Sequence, residues 1–131
     1  MKEAKHFLNI DLMYPLVRQK QKIFALERNK IVNKEVDRLL EIDVIEPYQY
    51  PQWLSNVVVV KKKNDKWRVY IDFTNLNKAC LKDSYPLPKT DQLVDVTTGY
   101  ERMSFLDAYS RYNQIRMNER DRIHTVFITE R

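Results

Sequence analysis

Several residue types are scarce in this 131-residue chain, and each scarcity excludes a class of site. The chain has one glycine, Gly99, against an average usage of about 7%, so it cannot contain a glycine-rich phosphate loop or a dinucleotide fingerprint. One cysteine, Cys80, excludes an internal disulfide framework and a cysteine-cluster zinc site. The two histidines, His6 and His124, lie far apart in the sequence, so we do not expect a zinc hydrolase.

Long apolar runs are also missing. The longest covers residues 57–60, whereas a membrane-spanning helix needs about 20 apolar residues. The N-terminal stretch lacks the apolar core of a secretory signal. We therefore expect no membrane association and an intracellular location, cytoplasmic or nuclear, in a reducing compartment. Apolar residues make up 44% of the chain, which is enough for a core and argues against wholesale disorder.

The net charge of +5 is concentrated in two segments. Residues 18–38 carry seven basic and three acidic side chains, and residues 60–70 carry five basic and one acidic. Such clustering is typical of proteins with a polyanionic partner, most commonly nucleic acid. Two solvated faces that aid solubility are the alternative, and charge alone does not decide between them.

The spacing of apolar residues predicts a helix over residues 27–42, preceded by an extended lead-in over residues 1–24. Residues on the apolar face recur with the helical period: Val32, Val36, Leu39 and Leu40. Lys30, Lys34 and Arg38 recur at four-residue steps on another face, which should be basic and exposed.

A β-hairpin is predicted next, with Asn64 and Asp65 at its tip. The valine run in residues 56–62 indicates a strand buried on both sides, and residues 66–73 alternate strictly between two faces. We expect the helix to pack against the face of Trp67, leaving Trp67 largely buried and Arg68 exposed on the opposite face. A two-residue loop would set Lys61 opposite Arg68, and a three-residue loop would set Lys62 there.

The remaining segments carry weaker signals. Prolines predict an extended stretch over residues 85–88. Thr90 is predicted to cap a helix over residues 91–98, which ends at Gly99. We expect this helix to be held by apolar contacts of Leu93, Val94 and Val96. A short strand over residues 103–106 should follow, then a turn or short helix through Tyr112, an extended stretch over 113–117, a polar turn over 118–121 and a final strand over 125–129.

Asp107, at the end of the predicted strand 103–106, has two interpretations. It can cap a helical turn over residues 108–112, or it can be a metal-binding carboxylate on a rigid strand. Magnesium prefers hard oxygen ligands, but two-metal phosphoryl transfer needs at least two carboxylates. No second acid flanks Asp107 in a comparable setting. Asp72, on the hairpin, is expected to pair with a nearby Lys or Arg.

Several sequence blocks, in order and at matching spacing, carry a resemblance to a known family: PLVRQKQKIFALERNKIVNKEVDRLLE, YPQWLSNVVVVKKK, KWRVYIDFTNLNKAC, KDSYPLPKTDQLVD and SFLDAYSRYNQIRM. Together they resemble the reverse transcriptase of gypsy-type long-terminal-repeat retrotransposons over residues 7–131. The resemblance implies an α+β fold, a fingers and palm fragment of a right-hand polymerase with a basic β-hairpin, packed helices and an incomplete palm sheet. It divides the chain into a lead-in (1–24), a fingers-like region (25–90) and the start of a palm (91–131).

The resemblance also implies an RNA-directed DNA polymerase, whose partners are an RNA or DNA template-primer and deoxynucleoside triphosphates. Asp107 resembles the first catalytic aspartate, a ligand of Mg²⁺, to which the carbonyl of Ala108 adds an oxygen. Lys62 resembles the lysine that neutralises the γ-phosphate, and Arg68 the arginine over the base and triphosphate, which favours the register that pairs these two residues. Tyr112 resembles the aromatic gate under the sugar, with core packing as the alternative.

The chain departs from the family pattern in three respects. The Tyr-x-Asp-Asp motif that supplies the other carboxylates is absent, so we expect a truncated fragment of a Pol polyprotein that is inactive alone. Asp65 and Arg111 stand where the family has glycine. There are two alternative interpretations. The chain is a non-catalytic, basic nucleic-acid-binding remnant of a retrotransposon, or it is a remnant that does not fold alone.

Overall fold

The computed structural model describes residues 3–130, in which helices and short strands are mixed. The helices are α1 (Leu26–Glu41), α2 (Thr74–Ala79), α3 (Thr90–Thr97) and α4 (Glu119–Arg122), with a 3₁₀ turn at Arg111–Gln114. The strands are β1 (Lys5–His6), β2 (Ser55–Lys61), β3 (Trp67–Ile71), β4 (Arg116–Met117) and β5 (Phe127–Ile128). The α+β class predicted from the sequence is therefore confirmed.

The main sheet has the strand order β3-β2-β5. Strands β2 and β3 form the predicted antiparallel hairpin, and β5 runs parallel to β2, with Ser55 opposite Phe127 and Asn56 opposite Ile128. The final strand predicted over residues 125–129 is thus present as β5. A separate parallel pair joins β1 to β4 and brings the two ends of the chain together.

Helix α1 packs on one face of the hairpin, as the apolar spacing predicted. Val32 and Val36 of α1 are buried together with Val57 and Val59 of β2. Three basic residues of α1, predicted to share another face, are exposed: Lys30, Lys34 and Arg38. The predicted bounds 27–42 agree with the observed helix to one residue at each end.

An aspartate, not a glycine, ends α1. Asp43 has a φ of 60°, in the left-handed region. The amide of Asp43 donates to the carbonyl of Leu40 at 3.2 Å, and the amide of Val44 to that of Leu39 at 3.0 Å. These two bonds satisfy carbonyls that the last turn would leave unpaired. Asp is one of the few non-glycine residues that are enriched in this conformation.

The valine run of β2 is not buried on both sides, so that prediction is wrong. Val57 is 2% exposed on the face that α1 covers, whereas Val60 is 45% exposed on the other face. Val58, on the same face as Val60, is half-buried. A run of four valines satisfies the period-2 rule for either face, so the sequence does not reveal that α1 covers one face only.

Trp67 is half-buried, less than predicted, while Arg68 is exposed as expected. The indole packs against the valine cluster of α1 and β2. Trp67 pairs with Lys61 in the last pair of the hairpin ladder, next to the tip. Its position at the end of the strand leaves part of the ring in solvent.

A second cluster lies around Trp53, which is 2% exposed. Leu76 and Ala79 of α2 complete its buried part, and the ring of Tyr14 stacks on Trp53 at 6.4 Å. Partly buried side chains of the predicted lead-in pack around them: Leu8, Ile10, Tyr14 and Val17. Neither the burial of Trp53 nor helix α2 was predicted from the sequence.

Buried Asn56 fixes the lead-in to β2. The side-chain nitrogen of Asn56 donates to the carbonyl of Lys20 at 2.8 Å, and its side-chain oxygen accepts from the backbone amide of Lys22 at 3.0 Å. Its own backbone amide donates to the side chain of Gln19 at 2.9 Å. Asn56 is 4% exposed, and because its side chain is fully hydrogen-bonded, its burial leaves no polar atom of that side chain without a partner.

Every residue from 81 to 116 is exposed. Helix α3 forms, and Gly99 follows it with the expected positive φ of 91°. Its apolar residues Leu93 and Val94, however, are more than half exposed, so the contacts predicted to hold the helix are wrong. The capping residue is Lys89, because its amide donates to the side chain of Gln92 at 3.3 Å; Thr90 is already the first helical residue.

The strand predicted over residues 103–106 does not form. Phe105 is 91% and Leu106 98% exposed. A strand requires a neighbour for its backbone donors and acceptors, and no described strand pairs with these residues. Among residues 3–130, no helix combines the length and the apolar character needed to cross a membrane.

Candidate functional site

The register of the hairpin differs from both predicted registers. Arg68 lies opposite Val60, and Trp67 lies opposite Lys61. The amide of Lys62 donates to the carbonyl of Lys66 at 2.7 Å, so these two residues form the next pair and residues 63–65 form the loop. Arg68 therefore lies in the third pair from the loop, opposite neither Lys61 nor Lys62.

The conformation of Asp65 explains this register. Its φ is 58°, and its amide donates to the carbonyl of Lys62 at 3.1 Å. A turn followed by one left-handed residue is a common three-residue hairpin loop, usually with glycine in the left-handed position. The resemblance placed a family glycine here, and the backbone keeps the glycine-like conformation with Asp65 in its place, at a cost of about 1 kcal/mol.

The pairing defines two faces of the hairpin. The helix face, which α1 covers, carries Val57, Val59, Lys61, Trp67 and Val69. The outer face carries the residues of the alternate pairs: Val58, Val60, Arg68 and Tyr70. Lys62 lies two pairs beyond Val60 towards the tip, and alternation assigns it to the outer face as well.

Lys62 and Arg68 are thus diagonal neighbours on the outer face, where such pairs are about 7–8 Å apart. Both are exposed. The guanidinium of Arg68 donates to the hydroxyl of Tyr70 at 2.8 Å, and its central carbon lies 5.6 Å from the centre of that ring. This role of Tyr70 was not predicted from the sequence, although Tyr70 follows Arg68 by two residues and therefore lies on the same face of the strand. The face offers one compact cation and one planar donor group to an anion.

The prediction that Asp72 pairs with a nearby Lys or Arg side chain is wrong. Its carboxylate accepts from the hydroxyl of Thr74 at 2.6 Å and from the amide of Thr74 at 3.1 Å. These hydrogen bonds lower the pKa of Asp72 below its ordinary value. Asp72 therefore holds the start of α2.

Asp107 lies in the exposed stretch 102–108, which has no regular secondary structure, and Ala108 follows it there. Its interpretation as a helix cap is wrong, because the 3₁₀ turn begins only at Arg111, with Ser110 before it. Among residues 3–130, no group of three or more His, Cys, Asp or Glu side chains could hold a metal ion. The described residues therefore do not complete a two-metal carboxylate site around Asp107.

Tyr112 is 81% exposed, so its interpretation as a core residue is wrong. The guanidinium carbon of Arg111 lies 5.0 Å from the centre of its ring, and a guanidinium nitrogen donates to its hydroxyl at 3.3 Å. The cation that replaces the second family glycine is therefore occupied with the neighbouring aromatic ring.

The predicted site residues fall into two groups. Lys62 and Arg68 share the outer face, and the other three lie within the exposed residues 81–116: Asp107, Ala108 and Tyr112. No hydrogen bond or ion pair within residues 3–130 joins the groups. Burial raises the pKa of the Cys80 thiol, which disfavours the thiolate.

Comparison with known proteins gives the same family as the sequence blocks. A family model described as reverse transcriptase (RNA-dependent DNA polymerase) matches residues 60–131, more than half of the chain. The stretch includes the tip of the hairpin and Asp107.

Three relatives are Pol polyproteins of Drosophila melanogaster transposons. The retrovirus-related Pol polyprotein from transposon 412 is 33% identical over 75% of this chain, that from transposon 297 is 30% identical over 96%, and that from transposon gypsy is 35% identical over 73%. The aligned regions span only 8%, 12% and 10% of those proteins. The predicted resemblance to gypsy-type elements is confirmed, and the chain belongs to the reverse transcriptase (RNA-dependent DNA polymerase) family.

Proposed function

We propose that this chain is the fingers and the beginning of the palm of an RNA-directed DNA polymerase, which adds deoxynucleotides to a primer paired with an RNA or DNA template. The family match over residues 60–131 is the observation that carries this proposal. The division into a lead-in (1–24), fingers (25–90) and palm (91–131) is part of it. The covered face of the hairpin supports the fingers assignment, since α1 covers the buried valines of β2 and leaves the outer face open to a ligand.

The outer face is the proposed binding site for the triphosphate of the incoming nucleotide. Lys62 binds the γ-phosphate as a point charge, and Arg68 binds the triphosphate with its planar donors while its flat surface faces the base. Their diagonal arrangement spreads the two charges along the strand, which suits an extended chain of phosphates. Tyr70 holds the guanidinium of Arg68 at 2.8 Å, so part of the ordering cost is met before the ligand binds.

Asp107 and the carbonyl of Ala108 are proposed as partial ligands of Mg²⁺. Oxygen donors suit this ion, but one carboxylate does not provide the set that two-metal phosphoryl transfer needs. We therefore expect weak metal binding and no turnover by this chain alone. Tyr112 is proposed to contact the sugar of the nucleotide through the part of its ring that Arg111 leaves exposed.

Titration with dTTP tests the proposed triphosphate site. We expect Arg68→Gln and Lys62→Gln each to weaken binding by about tenfold or more, because a hydrogen bond to a charged group contributes about 1.5–3 kcal/mol and about 1.4 kcal/mol is a factor of ten. Arg102→Gln is the matched control, since Arg102 is exposed and lies outside the hairpin. Equal affinities for Arg68→Gln, Arg102→Gln and the unchanged chain would refute the triphosphate site.

A primer-extension assay on a poly-adenylate template, with magnesium or manganese, tests the expected lack of turnover. Extension that exceeds the no-protein control and disappears in Asp107→Ala would show that one carboxylate suffices.

A second candidate function is non-catalytic binding of nucleic acid, favoured by the two basic segments. Under this alternative the chain binds oligonucleotides but not dTTP. Under the polymerase proposal it binds both, so the same titrations separate the two functions.

A further inference from the structure

Two cationic side chains lie near the ring of Trp67, on the helix face of the hairpin. The guanidinium carbon of Arg28, from the first turn of α1, lies 5.9 Å from the centre of the indole. The side-chain nitrogen of Lys61, opposite Trp67 in the ladder, lies 6.0 Å from the same centre. Distances of about 6 Å are within the range of cation–π attraction. Two elements that are far apart in sequence thus place positive charge around one ring.

Lys61 also has an anionic partner at the tip. Its side-chain nitrogen lies 2.8 Å from a carboxylate oxygen of Asp65. The ion pair is solvent-exposed, with 53% of the Lys61 side chain and 86% of the Asp65 side chain accessible. Exposed pairs of this kind are weak, so a polyanion can displace Asp65 from Lys61.

We propose that Arg28 and Lys61 form a second anion site, distinct from the triphosphate site, which binds a backbone phosphate of a nucleic acid strand. Asp65 competes with that phosphate for Lys61. The identity of the partner as nucleic acid rests on the proposed function, while the site itself rests on the geometry around Trp67.

The faces of the hairpin separate this site from the triphosphate site. Lys61 and Trp67 lie on the helix face, and Lys62 and Arg68 on the outer face. A single nucleotide on the outer face leaves the helix face unoccupied, whereas a strand of many phosphates can reach the helix face independently. An open groove of about 670 Å³ adjoins Trp67 between α1 and β3, but it is lined by acidic as well as basic residues of α1. We therefore limit the site to Arg28 and Lys61.

Parallel titrations with fluorescein-labelled (dT)20 and with dTTP test the proposal on the full chain. We expect Lys61→Gln and Arg28→Gln each to weaken (dT)20 binding about two- to fivefold, the range for one exposed ion pair. The slope of log K against log salt should become shallower by about 0.7, which corresponds to one phosphate contact on a single strand. Binding of dTTP should stay unchanged. Lys82→Gln, which removes an exposed charge outside the hairpin, is the control for net charge.

Asp65→Asn tests the competition. We expect it to strengthen (dT)20 binding about two- to fivefold, because it frees Lys61 from an exposed ion pair. Asp43→Asn is the matched control, since Asp43 is also exposed, also has a left-handed φ and lies outside the hairpin. Both substitutions remove one negative charge and keep a residue that tolerates the conformation.

The outcomes separate this inference from the proposed function. If (dT)20 binding changes no more in Lys61→Gln and Arg28→Gln than in Lys82→Gln, the second site is refuted while the triphosphate site stands. If Asp65→Asn and Asp43→Asn behave alike, Asp65 does not compete. If Lys61→Gln and Arg28→Gln weaken the binding of dTTP as much as the binding of (dT)20, there is one anion site and not two. If the unchanged chain binds neither probe, both proposals fail.

Discussion

Truncation of Val57 tests the one-sided packing of the hairpin on α1. Val57 is 2% exposed and packs in the cluster formed with α1. Val57→Ala removes two methylene equivalents, worth about 1.6 kcal/mol at about 0.8 kcal/mol each. The cavity left behind adds to this loss, so we expect the free energy of unfolding to fall by about 2–3 kcal/mol.

Val60→Ala is the matched control because it makes the same substitution in the same strand. Val60 is 45% exposed on the outer face, so we expect a loss of no more than about 0.5–1 kcal/mol, which includes the lower strand propensity of alanine. Urea denaturation followed by tryptophan fluorescence measures both, and a loss of about 2–3 kcal/mol lowers the midpoint by about 1–2 M. Equal losses for the two variants would contradict the one-sided burial. If Val57→Ala is unfolded without urea while Val60→Ala is folded, the packing is supported.

Two further predictions concern pH and proteolysis. The hydrogen bonds from Thr74 lower the pKa of Asp72 in the folded chain, so its contribution to stability is present above the ordinary carboxyl pKa of about 3.9 and is lost as the pH falls through the lower folded value. The unfolding free energy of the unchanged chain should therefore decline more steeply below about pH 4 than that of Asp72→Asn, and parallel curves would contradict this role. Trypsin should cleave first at Lys82 or Arg102, in the exposed stretch 81–116, and mass spectrometry of the early fragments would contradict this if the first cut fell within β2 or β3.

Features with a local cause could be predicted from the sequence. Helix α1 follows from apolar residues at the helical period, and the two faces of β3 follow from strict alternation. The position of Gly99 after α3 follows from the left-handed conformation that ends many helices.

Features that depend on a distant partner could not be predicted. The valines of β2 suit burial on either face, and only the position of α1 leaves Val60 exposed. The stretch 103–106 has the composition of a strand, but strand formation depends on a neighbour that no described residue provides. Trp53 follows Pro51 by two residues and belongs to no periodic pattern, and its burial comes from α2 and the lead-in together.

The candidate site shows the same limits. Composition and alternation indicated an exposed, basic hairpin, whereas the roles of Lys62, Arg68 and Tyr112 came from the family resemblance. The predicted registers were wrong because the observed register depends on a left-handed φ of 58° at Asp65, which a non-glycine residue adopts rarely. The contact of Arg111 with the ring of Tyr112 could not be read from the family, since the family has glycine at that position.

Mapping of the dTTP site by NMR tests the central claim most directly, namely that the outer face of the hairpin binds a nucleotide triphosphate. Titration of dTTP into the ¹⁵N-labelled chain should shift the amides of Lys62 and of residues 66–70 most strongly and saturably. The same shifts should be lost in Arg68→Gln and kept in Arg102→Gln. Absence of saturable shifts in the hairpin, or stronger shifts at Lys30 and Lys34 on the basic face of α1, would contradict the account.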